Sequence, residues 1–330
     1  MATYLPSRIN GAVPELRAMN EALLQAAQTA GYAPSIRNTR PWRWRLTGST
    51  LDLHLDRSRV VTISDPDARL ATLSCGAALH HARVALAASG WKVKVLQTSD
   101  HSDPDHLVQL RIARGTTDSF AVQRMQAILV RRTDRRPVTG APVAPADLAA
   151  ITKSVEAQGA WLYLLHPDQR HELSAAAEYA RRTQLPDSPW RDELAYWAGG
   201  RPERTGVADS AIASPMPGRN FGNYGSPKVS AEDDQTATFV MLYGPGDTSA
   251  DWLRAGEGLS AGWLTATELG ITVLPLSATI EVPATREVMK RLVAGVGHPY
   301  LVLRLGTIDS ADSTPPSTPR LPTDQIIDRT

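Results

Sequence analysis

Residues 131–136 read R-R-T-D-R-R, four arginines and a threonine hydroxyl within six positions. Guanidinium forks make charge-assisted, often bidentate hydrogen bonds to phosphate and carboxylate oxygens, so this run suits an oxyanion. The competing reading is a solvated face, or one paired with acidic helices. A second stretch, A-P-S-I-R-N-T-R-P-W-R-W (33–44), joins a helix-like segment to a strand-like one. A turn followed by a half-buried strand accounts for Pro34, Trp42 and Trp44. It leaves Ser35 and Asn38 as ordinary loop residues. A third, T-P-R-L-P (318–322), holds Arg320 as a stiffened cation in a proline- and serine-rich tail.

Other chemistry is weaker. Cys75 reads as lying just ahead of a helix that carries His80 and His81. A helix N-terminus lowers a thiol's pKa, which raises a nucleophile or a metal ligand as a possibility. Adjacent histidines cannot share a helix face, and no second cysteine completes a zinc set. Packing at the helix start is the better reading. Neither a P-loop nor a strand-linked G-x-G-x-x-G is present, so a nicotinamide cofactor has no dedicated fingerprint here.

These residues need a scaffold, and the periodicity predicts a mixed α+β one. Helices are expected over 14–31, with Pro14 in the first turn, and over 70–90, 145–158, 168–183, 249–269 and 284–294. Strands are expected at 41–46 and 51–56, joined by a T-G-S turn, and at 92–97, 106–113, 161–166, 237–244, 271–276 and 300–306. The stretch 199–230 is rich in glycine and proline and has little apolar periodicity, as lids and disordered loops do.

The 330 residues are 42% hydrophobic and 21% charged, enough for a buried core in one large or two ordinary domains. A net charge of +1 from 35 basic and 34 acidic residues offers no global field for nucleic acid or an anionic membrane. The single cysteine permits no internal disulfide, and no signal-like or membrane-spanning run is seen; a cytoplasmic protein is expected.

Two segments match each other. In G-A-A-L-H-H-A-R-V-A-L-A-A-S-G the positions are Gly76, Leu79 and Gly90; in G-E-G-L-S-A-G-W-L-T-A-T-E-L-G they are Gly256, Leu259 and Gly270, each 180 residues on. Each helix precedes a strand, as a duplicated α+β unit would. Chance similarity between glycine-capped helices is the alternative.

Together A-P-S-x-x-N…P-W (33–42), R-R-T-D-R (131–135), V-L-P-L-S-A (273–278) and T-P-R-L-P (318–322) resemble the FMN-dependent nitroreductases. Members of that family carry R-R-S-x-R, then A-P-S-x-x-N-x-Q-P-W, a strand ending near the flavin, and a late arginine before L-P. Here A-P-S precedes R-R-T, as in a fusion of two family units where one complete site is built from both halves. The length and the L-S-C-G-A-A-L-H-H, W-L-R-A-G-E and P-R-x-P segments are similar to the Acg-type branch.

The resemblance implies a nitroreductase-like fold of two tandem halves, 1–125 and 126–330, forming a pseudo-dimer within one chain, with a lid at about 199–230. It implies FMN as cofactor, with Arg131, Arg132 and Arg320 on its phosphate. Ser35 and Thr133 would bind the ribityl chain, with Asn38 and Arg135 nearby. Pro34 would pack beside the isoalloxazine, and Pro275, Leu276 and Ser277 would face its N5 edge. The chemistry would be flavin-borne, Leu276 and Ser277 being the ring-edge candidates. NAD(P)H would be donor, and a nitro compound or quinone acceptor. Three positions depart from the family: Arg40 for glutamine, Thr133 for serine, and Leu276-Ser277-Ala278 where many members have glutamate and glycine. The last of these, with the lid, keeps a second expectation open: a flavin-sequestering protein with little or no reductase activity.

Overall fold

In the tight turn between the first two strands, Gly48 takes a φ of +58°, a left-handed conformation that glycine adopts at no steric cost. β1 (Trp42–Thr47) and β2 (Thr50–Leu55) pair antiparallel across it. Trp42, Trp44 and Leu46 alternate inward, with both tryptophans fully buried. The computed structural model describes residues 9–98, 102–184, 186–197, 236–295, 297–308 and 318–329. The expected lid at 199–230 lies outside them.

The first sheet has the order β3-β4-β2-β1-β9, with β3 at Trp91–Gln97, β4 at His106–Arg114 and β9 at Ile327–Arg329. β9 runs parallel to β1 and comes from the far end of the chain. Arg43 grips Asp328 with two bonds, Nε–Oδ2 at 2.8 Å and an Nη–Oδ1 bond at 2.6 Å, which pins that end in place. The second sheet has the order β5-β6-β8-β7, with β5 at Trp161–Leu164, β6 at Thr238–Gly244, β7 at Thr272–Leu276 and β8 at His298–Gly306.

Helices α1 (Ile9–Ala30), α2 (Arg69–Ala88) and α3 (Ser119–Val130) belong to the first part of the chain. The later ones are α4 (Pro145–Glu156), α5 (Gln169–Gln184), α6 (Ser188–Trp197), α7 (Ser249–Glu268), α8 (Ala278–Glu281) and α9 (Pro283–Leu292). Two expectations are corrected. α1 starts at Ile9, so Pro14 sits inside it; the buried ladder Leu23, Ala26, Ala27 and Ala30 anchors the helix well downstream, where losing one early backbone bond costs little. Cys75 lies within α2, as the expected helix over 70–90 has it and not ahead of the helix as its reading as a nucleophile took it, and is fully buried.

α2 and α7 cross where each carries a glycine. A Cβ on Gly76 would lie 1.9 Å from the Leu253 carbonyl oxygen, and one on Gly256 would lie 1.9 Å from that of Leu73. Gly256 and Leu253 stand 180 residues after Gly76 and Leu73, so the contact is reciprocal, as at a two-fold axis. The cores interlock there too: Leu253 joins the core of the first sheet, while Leu70 and Leu73 join that of the second.

Asp65 sets the start of α2. Its carboxylate accepts from the backbone N–H of Leu70 at 3.2 Å and of Ala71 at 2.9 Å. Burial, reinforced by Glu281, pushes its pKa up to about 6, although the backbone donors act the other way. A carboxyl raised in the folded state favours folding below the unfolded pKa near 4 and loses that contribution as pH rises through about 6. Asp65→Asn keeps an acceptor and removes the charge. Its melting temperature relative to wild type is expected to be higher at pH 7.5 than at pH 4, as checked by calorimetry at both.

Candidate functional site

The end of α1 delivers the chain into residues 33–40, which adopt an unusual path. Arg37, Asn38 and Arg40 have φ of 46°, 57° and 51°. Asparagine tolerates this region; two arginines there store strain of roughly 1–3 kcal/mol each, which the surroundings must hold. The clamps are visible. The Arg40 backbone N–H donates to Ser35 Oγ at 3.0 Å, its guanidinium donates to Asn38 Oδ1 at 3.1 Å, and it also reaches the Pro319 carbonyl. Ile36 N–H donates to Ser74 Oγ on α2 at 3.1 Å. Pro34 is half-buried at the head of this segment.

Three distant segments bring cations together here. Arg131, at the end of α3, donates to the Tyr32 carbonyl at 3.2 Å and lies over the Trp263 ring at 4.6 Å. Arg320 lies over the Tyr32 ring at 5.6 Å and is braced by Thr318 Oγ1 at 2.7 Å. Burial, then Arg320 and Arg132, push Arg131 down to about 9; burial, then Arg320 and Arg59, push Arg40 to about 9. Arg320 is pushed to about 10 by burial and then Arg132. All remain cationic at neutral pH, and each has another arginine as its strongest unfavourable charged neighbour. Among the described residues, the Nε atoms of Arg131 and Arg132 are buried with no hydrogen-bond partner. Crowded, desolvated guanidinium groups with idle donors are a cradle for a phosphate-like dianion.

Thr133 bridges in parallel to Val273, and the Asp134 N–H donates to the Val273 carbonyl at 3.3 Å, so the R-R-T-D segment lies along β7. That sets Thr133 beside the strand carrying Pro275 and the buried Leu276. Ser277 follows, donating to Glu281 Oε1 at 2.7 Å. Glu281 Oε2 accepts from Arg37 at 3.1 Å and from Gln184 at 3.0 Å. Residues 33–40 thus touch the cations through Arg40 and the Ser277 end through Arg37. Among the described residues Arg135 is bonded to neither; burial lowers its pKa, and Asp134 acts the other way.

Sequence reasoning treated Arg40 only as a departure from a family pattern; its side chain is fully buried and is the fourth cation of the cluster. It missed Arg37, Glu281 and Glu193 altogether. Glu193, on the unforeseen α6, accepts from the backbone N–H of Ile63 at 2.8 Å and of Ser64 at 3.0 Å, and pairs with Arg37 at 3.3 Å. No local pattern marks a carboxylate that finds its partners 129 to 156 residues away. The other candidates are inert. Cys75 donates to the Pro41 carbonyl at 3.2 Å, and burial pushes its thiol well up. His80 bonds Ser260 Oγ at 2.8 Å and is pushed down to about 3 by burial, then by Arg83 and Arg124.

Among the described residues no helix is long and apolar enough to cross a membrane. No family model matches the sequence. Two solved structures are similar in part. The FMN and NADPH-dependent nitroreductase NfnB of a Sphingopyxis strain shows 16% identity and a TM-score of 0.42, covering 62% of this chain and 97% of its own. A Bacteroides fragilis nitroreductase with bound FMN shows 14% identity and a TM-score of 0.38, covering 59% and 94%. Curated relatives cover nearly the whole chain. The Mycobacterium tuberculosis protein named "Putative NAD(P)H nitroreductase acg" is 31% identical over 324 residues, 96% of this chain and 98% of its own. A second protein of that organism, likewise named "Putative NAD(P)H nitroreductase", is 33% identical over 332 residues, 98% and 94% of the two chains. With near-complete coverage at that identity, the chain belongs to the Acg-type nitroreductase family.

Proposed function

We propose that this chain binds one FMN and uses it as an NAD(P)H-dependent reductase of nitro compounds or quinones. The observation that carries this reading is the buried arginine cluster, assembled from residues 40, 131–132 and 320. Arg131, Arg132 and Arg320 take the phosphate, with Arg40 as a further cation. Ser35 accepts the Arg40 N–H and keeps its own hydroxyl proton to donate to the ribityl chain; Thr133 serves the same chain from the β7 side. Asn38 holds Arg40 in place, and Arg135 adds positive charge nearby. Pro34 flanks the ring, and Pro275, Leu276 and Ser277 line its reactive edge. The bound flavin would supply the redox chemistry, accepting a hydride from the nucleotide and passing electrons to the acceptor. The protein supplies placement and charge, and it excludes water.

The carboxylate expected beside that edge is absent from positions 276–278, but Glu281 comes back to Ser277 from one turn on. It fixes the Ser277 hydroxyl as a donor toward Glu281, so the Ser277 oxygen keeps only acceptor capacity for a further partner. The division into halves at 1–125 and 126–330, related as a pseudo-dimer, is supported by the reciprocal packing at Gly76 and Gly256. One flavin per chain follows from the one such arginine cluster found among the described residues, and absorbance of the reconstituted protein against protein concentration measures it.

Arg320→Ala is expected to weaken FMN binding by roughly 1.5–3 kcal/mol, the value of a charged hydrogen bond, or about ten- to hundredfold in Kd. Flavin fluorescence titration reads it directly. The reaction itself is tested by anaerobic stopped-flow absorbance of the FMN-loaded chain. Bleaching by NADH or NADPH, reversed by a nitroaromatic or a quinone, is the expected result. A flavin that dithionite reduces but neither nucleotide does would defeat the reductase reading.

A further inference from the structure

The register of β2 against β4 shifts between Leu53 and His54, which sets His54 opposite His106. Their imidazoles stack with centroids 4.5 Å apart and planes 10° from parallel. Behind them Asp52 Oδ1 lies 2.9 Å from His106 Nε2 and accepts from Gln109 Nε2 at 3.0 Å. A proton on His106 Nε2, donated to that carboxylate, leaves Nδ1 with its lone pair. His54 Nε2 is 3.7 Å from Asp103 Oδ2, and His54 Nδ1 is buried with no partner among the described residues. One ligand atom from each of His54, Asp103 and His106 lies within 4.8 Å of the others.

We propose that His54, His106 and Asp103 form a binding site for a divalent transition metal of the zinc class, with Asp52 as the carboxylate that orients His106. Two imidazole nitrogens and one carboxylate oxygen suit Zn²⁺, whereas Mg²⁺ and Ca²⁺ favour all-oxygen sets. Tetrahedral Zn²⁺ with bonds of about 2.0–2.2 Å places its ligands roughly 3.3–3.6 Å apart. The His54–Asp103 pair is already close to that spacing at 3.7 Å. Asp103 is 46% exposed in the hairpin between β3 and β4, so its side chain can rotate toward the ion. Binding also turns the His54 ring out of the stack, because a metal lies in the plane of each imidazole it binds and two parallel stacked rings cannot share one, while Asp52 holds the His106 ring. The Asp52–His106 pair is the carboxylate–histidine arrangement that fixes the tautomer and raises the basicity of a metal ligand. The fourth position is open. Asp103 and His106 line a cleft of about 320 Å³ together with Thr248, Ser249 and Leu253 at the start of α7. A water or a small ligand entering from that cleft completes the coordination.

The full chain, stripped of metal with a chelator and titrated calorimetrically with ZnCl₂, tests this. Wild type is expected to bind one Zn²⁺ per chain. His54→Gln and His106→Gln should abolish that binding, and Asp52→Asn should weaken it about 10–100-fold with the stoichiometry intact. Circular dichroism and FMN titration report whether each variant is folded. Asp103→Asn, at a half-exposed position, keeps the question answerable if a histidine variant fails to fold, and at least a tenfold loss is expected of it. No Zn²⁺ uptake by wild type overturns the proposal. So does uptake whose affinity is unchanged in Asp103→Asn and in the folded histidine variants, because the metal is then held by other surface groups.

Discussion

Arg131→Met should weaken FMN binding by about 2–3 kcal/mol, the upper range for a hydrogen bond to a charged group, while raising the melting temperature of the flavin-free chain. The opposite signs follow from the surroundings of this residue. Its guanidinium is buried, sits over Trp263 and has Arg320 and Arg132 as its nearest charged neighbours. In the flavin-free protein that charge is desolvated and repelled, and its Nε has no partner among the described residues. Methionine fills similar space on the tryptophan face without the charge, and replacing buried charge by well-packed apolar side chains is often stabilising. The lost bond from the guanidinium to the Tyr32 carbonyl, worth about 1.5 kcal/mol for a charged donor, offsets part of that gain. With the phosphate present, the same charge is answered by a dianion and its removal is costly. Flavin titration and paired thermal melts with and without FMN check both halves. A flavin-free melting temperature that falls in step with affinity would mean that Arg131 is structural.

Gly256→Ala is expected to cost about 3 kcal/mol of folding stability. A methyl group gains up to about 1 kcal/mol in helix propensity, but here it would sit 1.9 Å from the Leu73 carbonyl oxygen and 2.8 Å from the Gly76 Cα. Both are backbone atoms, so α2 and α7 must separate, and overpacking of this kind costs 1–3 kcal/mol or more. Gly258→Ala, on the same helix, is the control. Its Cβ would approach Ala160 Cβ at 3.1 Å, Val155 Cγ1 at 3.3 Å and the Val155 carbonyl oxygen at 3.6 Å, so a clearly smaller loss than that of Gly256→Ala is expected. Urea denaturation followed by circular dichroism measures the difference. Because Gly76 and Gly256 face each other, Gly76→Ala combined with Gly256→Ala should cost less than the sum of the two, the first having already opened the gap.

Much of the architecture was legible in local pattern. The alternation in W-R-W-R-L, the T-G-S turn and L-D-L-H-L specify a hairpin whatever surrounds it, because a strand's side-chain period is two and Gly48 tolerates a left-handed turn. The 180-residue match between Gly76 and Gly256 falls on the two helices that cross, although the sequence did not say that they meet. R-R-T-D-R marked its cations as a cluster visible without any fold, whereas Arg320, alone in its tail, was singled out only by the family resemblance.

The remainder depended on partners far along the chain. β9 has only three residues, too few to show a period, and exists because β1 offers it an edge and Arg43 holds Asp328. α6 took its place through Glu193, whose acceptor role is defined by the backbone of Ile63 and Ser64. Arg40 counted as one odd residue in a motif until the fold put Pro319 and Arg320 against it. Cys75 and His80 kept the possibility of reactivity until burial removed it. Sequence alone therefore determined most of the longer helices and strands and several of the side chains that can answer an anion. Tertiary structure decided which of those side chains lose water together, and desolvation by distant segments is what turns a run of arginines into a site.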